Sequence, residues 1–278
     1  MTEKALVTTA SWESLRRFTD ARIALGRAGN SLPTAAHLAF QLAHAQARDA
    51  VHLPLDALGL AAELRAQGHE TLLLHSAASD RARYLQRPDE GRRLDEDSRQ
   101  RLVHWQTATL TDAAFDVAFV IADGLSALAV HANAVPLLVR VLDRLRADTA
   151  QTWTVAPVAL VEQARVAVGD EVGAGLNASC VVLLIGERPG LSSPDSLGVY
   201  ITWAPRVGCT DAQRNCISNV RQGGLAMSAA AAKVFQILTQ SRSRRLTGVA
   251  LKDEVDEAAV VRGADSSLTQ GGRLTFFP

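Results

Sequence analysis

The chain has only 3 cysteines among 278 residues. Cys180, Cys209 and Cys216 cannot all pair, and none forms a Cys-x-x-Cys unit. A disulfide scaffold is excluded, a zinc centre is not expected, and reduced thiols fit the cytoplasm. Charge of one sign is also lacking. Lys+Arg and Asp+Glu each number 29, so the formal net charge is zero. Such a chain has no global attraction to nucleic acid or to an anionic membrane. Long hydrophobic runs are missing too. The longest apolar zone, 124–139, is interrupted by Ser126, His131, Asn133 and Pro136, which argues against a membrane span. Met1 to Ala10 show no basic stretch leading into an apolar one, so no secretory leader is expected. There is no internal repeat and no Gly-x-x-x-x-Gly-Lys-Ser/Thr word, which rules out a P-loop.

What is present is an ordinary globular composition, 47% hydrophobic and 21% charged. Its length suits about two domains or one large one. The first hundred residues read as helical. Ser11 is placed to cap a short helix carrying Leu15 and Phe18. Thr34, after Pro33, is placed to cap a second with Leu38 and Leu42 four apart. A third helix is expected from Leu55 to Gln67, ending at Gly68. Thr71 to His75 is a short apolar run of strand or buried-helix type. Tyr84 to Leu94 reads as a charged loop, and an amphipathic helix follows from Asp95 to Trp105.

Beyond Leu94 the pattern becomes strand–turn–helix. Strands are expected at Phe115–Ala122, Trp153–Val161, Cys180–Ile185 and Leu197–Trp203. Helices are expected after Asp123-Gly124, with a second segment from Pro136 to Arg146, then at Gly169–Leu176 and Ala226–Leu238. This alternation predicts an α/β fold, a Rossmann-like mostly parallel sheet with a helical N-terminal region. The expected divisions are 1–94, 95–253 and a polar, aperiodic, flexible tail at 254–278.

The most informative stretch is Cys180-Val-Val-Leu-Leu-Ile-Gly-Glu-Arg-Pro-Gly190. Six apolar residues in a row suit a central strand covered on both faces. Glu187 and Arg188 then stand at its carboxyl end, where open α/β sheets bind ligands; a solvated strand end is the plainer reading. A charge just past the strand is expected to add little to the core. Arg214-Asn-Cys-Ile-Ser-Asn219, followed by Arg221-Gln-Gly-Gly224, reads as a polar junction before the alanine-rich helix. It is either a loop whose backbone N–H groups face a ligand or a helix-capping loop.

Other motifs fail on context. Gly173-Ala-Gly-Leu-Asn-Ala178 matches a dinucleotide fingerprint, but a strand begins where its helix should. Gly124-Leu-Ser126-Ala-Leu128 has the position of a nucleophile elbow, with Leu128 where the second glycine should be. Ser126 reads better as a helix cap, and a self-sufficient α/β hydrolase using Ser126 remains an alternative. His37 and His44 lie seven apart, too far to chelate one metal in the i, i+4 manner. Arg242, Arg244 and Arg245 suit the C-terminal dipole of the last helix.

Several longer words, in order, resemble the small (light) subunit of ethanolamine ammonia-lyase. They are Arg17-Phe-Thr-Asp-Ala-Arg-Ile-Ala-Leu-Gly-Arg-Ala-Gly-Asn-Ser-Leu-Pro-Thr34, Tyr84-Leu-Gln-Arg-Pro-Asp-Glu-Gly-Arg-Arg-Leu94, Ile121-Ala-Asp-Gly-Leu-Ser126, Val182-Leu-Leu-Ile-Gly-Glu-Arg-Pro-Gly190 and Asn215-Cys-Ile-Ser-Asn219. They span roughly Ser11 to Asp253. The resemblance implies a subunit that pairs with a TIM-barrel heavy chain, binds adenosylcobalamin at the interface, and serves in turning ethanolamine into acetaldehyde and ammonia. It implies that the heavy chain holds substrate, so no catalytic residue and no metal ligand is expected on this chain. Carried over by motif, the cobalamin contacts fall on Val166, Glu187 and Cys216. Arg16, Arg17, Arg22 and Arg27 crowd two short segments with few acids nearby, so residues 1–94 are expected to be the surface that meets the heavy chain. There is no Asp-x-His-x-x-Gly word, so cobalamin is expected to keep its own benzimidazole as lower ligand. Some family members are packaged in a bacterial microcompartment through a long N-terminal extension; here the first matching helix comes at Ser11. A non-catalytic scaffold of the same fold is the remaining alternative.

Overall fold

In the computed structural model, residues 6–108 and 114–251 are described. The expected tail at 254–278 lies outside them. In chain order the elements are α1 (Thr34–His52), α2 (Ala57–Ala66), β1 (Thr71–His75), α3 (Arg81–Gln86), α4 (Glu96–Ala108), β2 (Phe115–Ala122) and α5 (Ala127–Arg146). Then follow β3 (Val158–Glu162), α6 (Val168–Gly175), β4 (Ala178–Gly186), β5 (Leu197–Trp203), β6 (Arg214–Val220) and α7 (Met227–Arg244).

All six strands form one sheet in the order β1-β3-β2-β4-β5-β6. The pairs β1–β3, β3–β2 and β2–β4 are parallel, and β4–β5 and β5–β6 are antiparallel. Chain length explains the change of direction. Residues 187–196 and 204–213 are too short for a crossover helix, so each strand must turn straight back. β1 takes the edge, so the sheet draws on residues before Leu94 as well as after it.

β2 and β4 are apolar along their length because both faces are covered. On one face Phe119, Ile121, Val182, Leu184 and Val199 meet Leu64, Leu138, Val234 and Leu238 from α2, α5 and α7. On the other, Val120, Val181 and Leu183 meet Leu102 from α4, Val172 from α6 and Leu176 just after it. Toward β6 this second face opens: Tyr200 is half-buried, and Cys216 and Ser218 are exposed.

Several expectations need correcting. Residues 214–219 are not a junction loop but belong to strand β6, whose backbone pairs with β5. Pro136 does not begin a second helix. It sits inside a continuous α5, whose Val130, Ala134, Leu137, Leu138 and Val141 on both sides of it are buried together. Thr34 is the first residue of α1, with Pro33 at the cap position. Ser11 precedes a 3-10 turn, Glu13–Phe18, whose cap position is Trp12. β3 starts at Val158, after Pro157, which cannot donate to a ladder. The N-terminal region is helical as expected, but Leu38 and Leu42 of α1 face outward; its buried residues are Ala43, Ala47 and Ala50.

Candidate functional site at the carboxyl edge of the sheet

The ends of β2, β3 and β4 are drawn together by backbone contact. At Gly186, ending β4, a Cβ would fall against the carbonyl of Ser126 and 2.6 Å from that of Asp123. Gly124, after β2, has φ +57 and lies against Gly186, an arrangement that glycine allows. The Leu125 N–H donates to the Gly186 carbonyl at 2.9 Å. Beside them the buried Asp123 carboxyl accepts N–H bonds from Gln163 and Ala164, both at 2.9 Å, and faces Arg81 at 3.4 Å. Burial outweighs these partners and pushes its pKa up to about 6.

Beyond this edge lies an open cleft of about 440 Å³. Its lining includes Tyr84, Arg165, Val166, Glu187, Arg188, Tyr200 and Ser218. Glu187 bridges three strands. Its Oε2 accepts from Ser196 Oγ at 2.5 Å and from the Asn219 N–H at 3.2 Å, and its Oε1 accepts from Ser218 Oγ. Gly198 leaves the room: a Cβ there would sit 3.1 Å from Glu187 Oε1. The Glu187 carboxylate thus ties the end of β4 to the start of β5 and to β6, contacts that the sequence reading did not anticipate.

Cys216 lies opposite Tyr200 in the β5–β6 ladder, and their side chains hydrogen-bond. Although the residue as a whole is exposed, burial of the sulfur against its neighbours pushes the thiol up, so it stands as a neutral S–H. Cys216 and Ser218 are two apart on one strand and share a face. The site residues read from sequence thus come together. Val166 and Glu187 line the cleft itself, and Cys216 adjoins it through Tyr200. The buried ion pair of Arg214 with Asp170 joins β6 to α6 just behind.

The sequence reading missed Tyr84, Arg165, Ser196 and Tyr200 as site residues. Ser218 stood inside the polar word Arg214–Asn219, which was singled out only as a whole. A hollow of about 570 Å³ lies at the opposite edge among Trp105, Phe115 and Trp153, the amino end of the strands, where open sheets do not bind ligands.

The rival motifs dissolve. Ser126 is fully buried; its Oγ donates to the Pro194 carbonyl at 2.7 Å and accepts from the Ala129 N–H, as the cap of α5. A nucleophile needs a base there, and among the described residues Ser126 has none. α6 ends at Gly175 and β4 begins at Ala178, so residues 173–178 are a helix-to-strand turn. His37 pairs with Gln41 and His44 stacks on Phe40. Among the described residues no cluster suits a metal ion, and no helix is long and apolar enough to cross a membrane. Arg242 reaches Asp116 and the Thr152 carbonyl, and Arg245 is the left-handed cap of α7.

Residues 9–252 match the ethanolamine ammonia-lyase light chain (EutC) family. The chain belongs to this family. It is 58% identical over 272 residues to the ethanolamine ammonia-lyase small subunit of Ralstonia nicotianae, covering 98% of this chain and 96% of the relative. The Azotobacter vinelandii small subunit is 58% identical over 266 residues, 96% of each chain. That of Pseudomonas fluorescens is 56% identical over 259 residues, 91% of this chain and 93% of the relative. The family is therefore that of a lyase subunit, and the resemblance read from the long words is the correct one.

Proposed function

We propose that this chain is the light chain of an adenosylcobalamin-dependent ethanolamine ammonia-lyase of ethanolamine catabolism, acting in the cytoplasm with a TIM-barrel heavy chain. Its cleft forms the lower wall of the cobalamin site. The observation that carries this reading is that Val166 and Glu187 line one cleft at the carboxyl edge, with Cys216 beside it on the open face of β6, in a chain of this family.

The residues suit the group. A carboxylate offers about four lone-pair sites, and Glu187 has three described donors, with a single one on Oε1. The remaining lone pair can accept an amide N–H from a corrin rim. Val166 adds apolar surface, and the exposed Cys216 and Ser218 extend the wall along β6. A broad, shallow surface serves a flat macrocycle better than a deep pocket does. When bound, adenosylcobalamin supplies radical chemistry by cobalt–carbon homolysis. This chain's residues bind the macrocycle's rim, orient it and keep water from its lower face.

The N-terminal region supports a heavy-chain contact. Trp12, Phe18, Leu38, Leu42 and Leu58 are large apolar side chains left exposed in this region. Arg16, Arg17, Arg22 and Arg27 stand among them, and arginine is favoured at interfaces.

The test is reconstitution. The isolated chain with adenosylcobalamin and ethanolamine is expected to form no acetaldehyde, and the light–heavy pair to form it while carrying a cobalamin absorption spectrum. Turnover by the isolated chain would refute the division of labour. A pair that binds no cobalamin would make the chain a scaffold.

A further inference from the structure

We propose that Arg165 and Arg188 form an anion subsite in the same cleft, one that takes the phosphodiester of the bound cobalamin. This rests on the cobalamin reading above and adds a cationic contact to the three proposed there.

Arg165 is held in place before any ligand arrives. Its backbone N–H donates to the Gly91 carbonyl at 2.7 Å. Its guanidinium stacks 4.1 Å from the Tyr84 ring centre, and its Nη2 donates to the Tyr84 carbonyl at 3.3 Å. A Cβ on residue 91 would come 2.9 Å from Arg165 Cγ, so glycine there leaves space for the stem. Yet Nε of Arg165 is buried with no hydrogen-bond partner among the described residues. A buried donor without an acceptor is costly, so the chain's own acceptors leave the Arg165 guanidinium incompletely satisfied.

The charges around it are unequal. Tyr84 is flanked by a second guanidinium, Arg81, at 4.5 Å. Arg81 has Asp123 as counterion, whereas Arg165 has no carboxylate at ion-pair distance among the described residues. Nearby acids are engaged elsewhere: Glu90 by Arg83 and Arg87, Glu171 by Arg99. Arg188 also lines the cleft and is exposed, with no hydrogen bond or ion pair among the described residues. Glu187, the one acid in the lining, already accepts from three donors. The cleft thus presents two arginines and one occupied carboxylate. The rigid fork of arginine fits a phosphate's paired oxygens. The phosphodiester of cobalamin's nucleotide loop is a monoanion of that kind.

Cobinamide tests this, since it keeps the corrin and lacks the phosphodiester. The assembled light–heavy pair is titrated by equilibrium dialysis with cyanocobalamin and with cobinamide. Arg188→Gln and Arg165→Gln are each expected to weaken cobalamin binding roughly tenfold or more, leaving cobinamide affinity unchanged. Added salt should weaken cobalamin binding in the unmodified pair more than in the variants. Arg188→Gln removes no described contact, so it serves if Arg165→Gln misfolds. Equal loss for both ligands, or no loss for either, overturns the subsite. So does impaired pairing on gel filtration with cobalamin affinity intact, which would give the arginines a carboxylate of the partner chain instead. A pair that binds cobinamide but never cobalamin overturns the subsite alone. A pair that binds neither ligand removes the cofactor reading together with it.

Discussion

Replacing Glu187 in two ways separates its role as a tie from its role as a ligand. Glu187→Ala removes the acceptor for all three donors. Ser218 and Asn219 are exposed and can turn to water, but Ser196 is buried at 5% exposure. Loss of that charge-assisted bond dominates, at about 1.5–3 kcal/mol. For a domain of this size that lowers Tm by roughly 2–4 °C per kcal/mol. Glu187→Gln behaves differently. Its amide oxygen can take the place of Oε2 and keep the Ser196 and Asn219 bonds. Its NH2 then takes the place of Oε1, where the Ser218 hydroxyl can rotate to accept. The folding cost should stay below about 1 kcal/mol. The free lone pair, however, becomes a donor, and it would face a corrin amide donor. Cobalamin affinity should fall roughly ten- to a hundred-fold. Leu183→Ala, at 2% exposure, is the contrast: about 2–5 kcal/mol of stability lost to a cavity, with affinity unaltered in the folded fraction. Thermal unfolding and dialysis on the assembled pair read both quantities. If Glu187→Gln lowers Tm as far as Glu187→Ala and leaves affinity intact, Glu187 is a strand tie and nothing more.

The remaining predictions concern the frame and the N-terminal surface. Burial raises Asp123 from 3.8 to about 6, so the fold favours its protonated form. That contribution is complete below about pH 4 and is lost as pH rises through about 6, up to about 3 kcal/mol in all. Denaturant unfolding at several pH values should show this fall in the native chain and not in Asp123→Asn; an equal slope in both would refute it. Gly186→Ala should destabilise by about 1–3 kcal/mol or prevent folding, since its Cβ meets the Ser126 and Asp123 carbonyls, and unchanged Tm would contradict the packing described. Arg22→Glu with Arg27→Glu should weaken pairing with the heavy chain on co-purification. Because Arg22 also donates to the Leu191 carbonyl at 3.2 Å, Arg27→Glu alone is the decisive variant, and undiminished assembly would make these arginines a solvated face.

Legibility followed burial on two faces. β2 and β4 were readable because continuous apolar runs of that length, ended by glycine, suit a covered strand, and both were placed within two residues of their observed ends. The same run placed Glu187 at a ligand edge. Its partners Ser196 and Ser218 were not readable, because they meet it only through the antiparallel register of β4, β5 and β6. Tyr84 and Arg165 are brought into contact because the segments that follow the paired strands β1 and β3 leave the sheet side by side, which no local pattern encodes. β6 was hidden for a reason tied to function. In Arg214–Val220 only Arg214, Ile217 and Val220 are buried, a spacing of three that does not match the period of a regular strand, and the step from Ile217 to Val220 falls at a register shift opposite Leu197 and Val199. The residues between them are Asn, Cys, Ser and Asn, the vocabulary of a loop. Beyond Arg214, which pairs with Asp170 of α6, Cys216, Ser218 and Asn219 of β6 stay exposed beside the cleft. Exposure for binding removes the alternation by which a half-buried strand is recognised. In an open α/β sheet, then, a polar stretch after the last clear strand should be tested as a strand before it is read as a loop, and here Cys216 between Tyr200 and Ser218 is where that distinction decides the site.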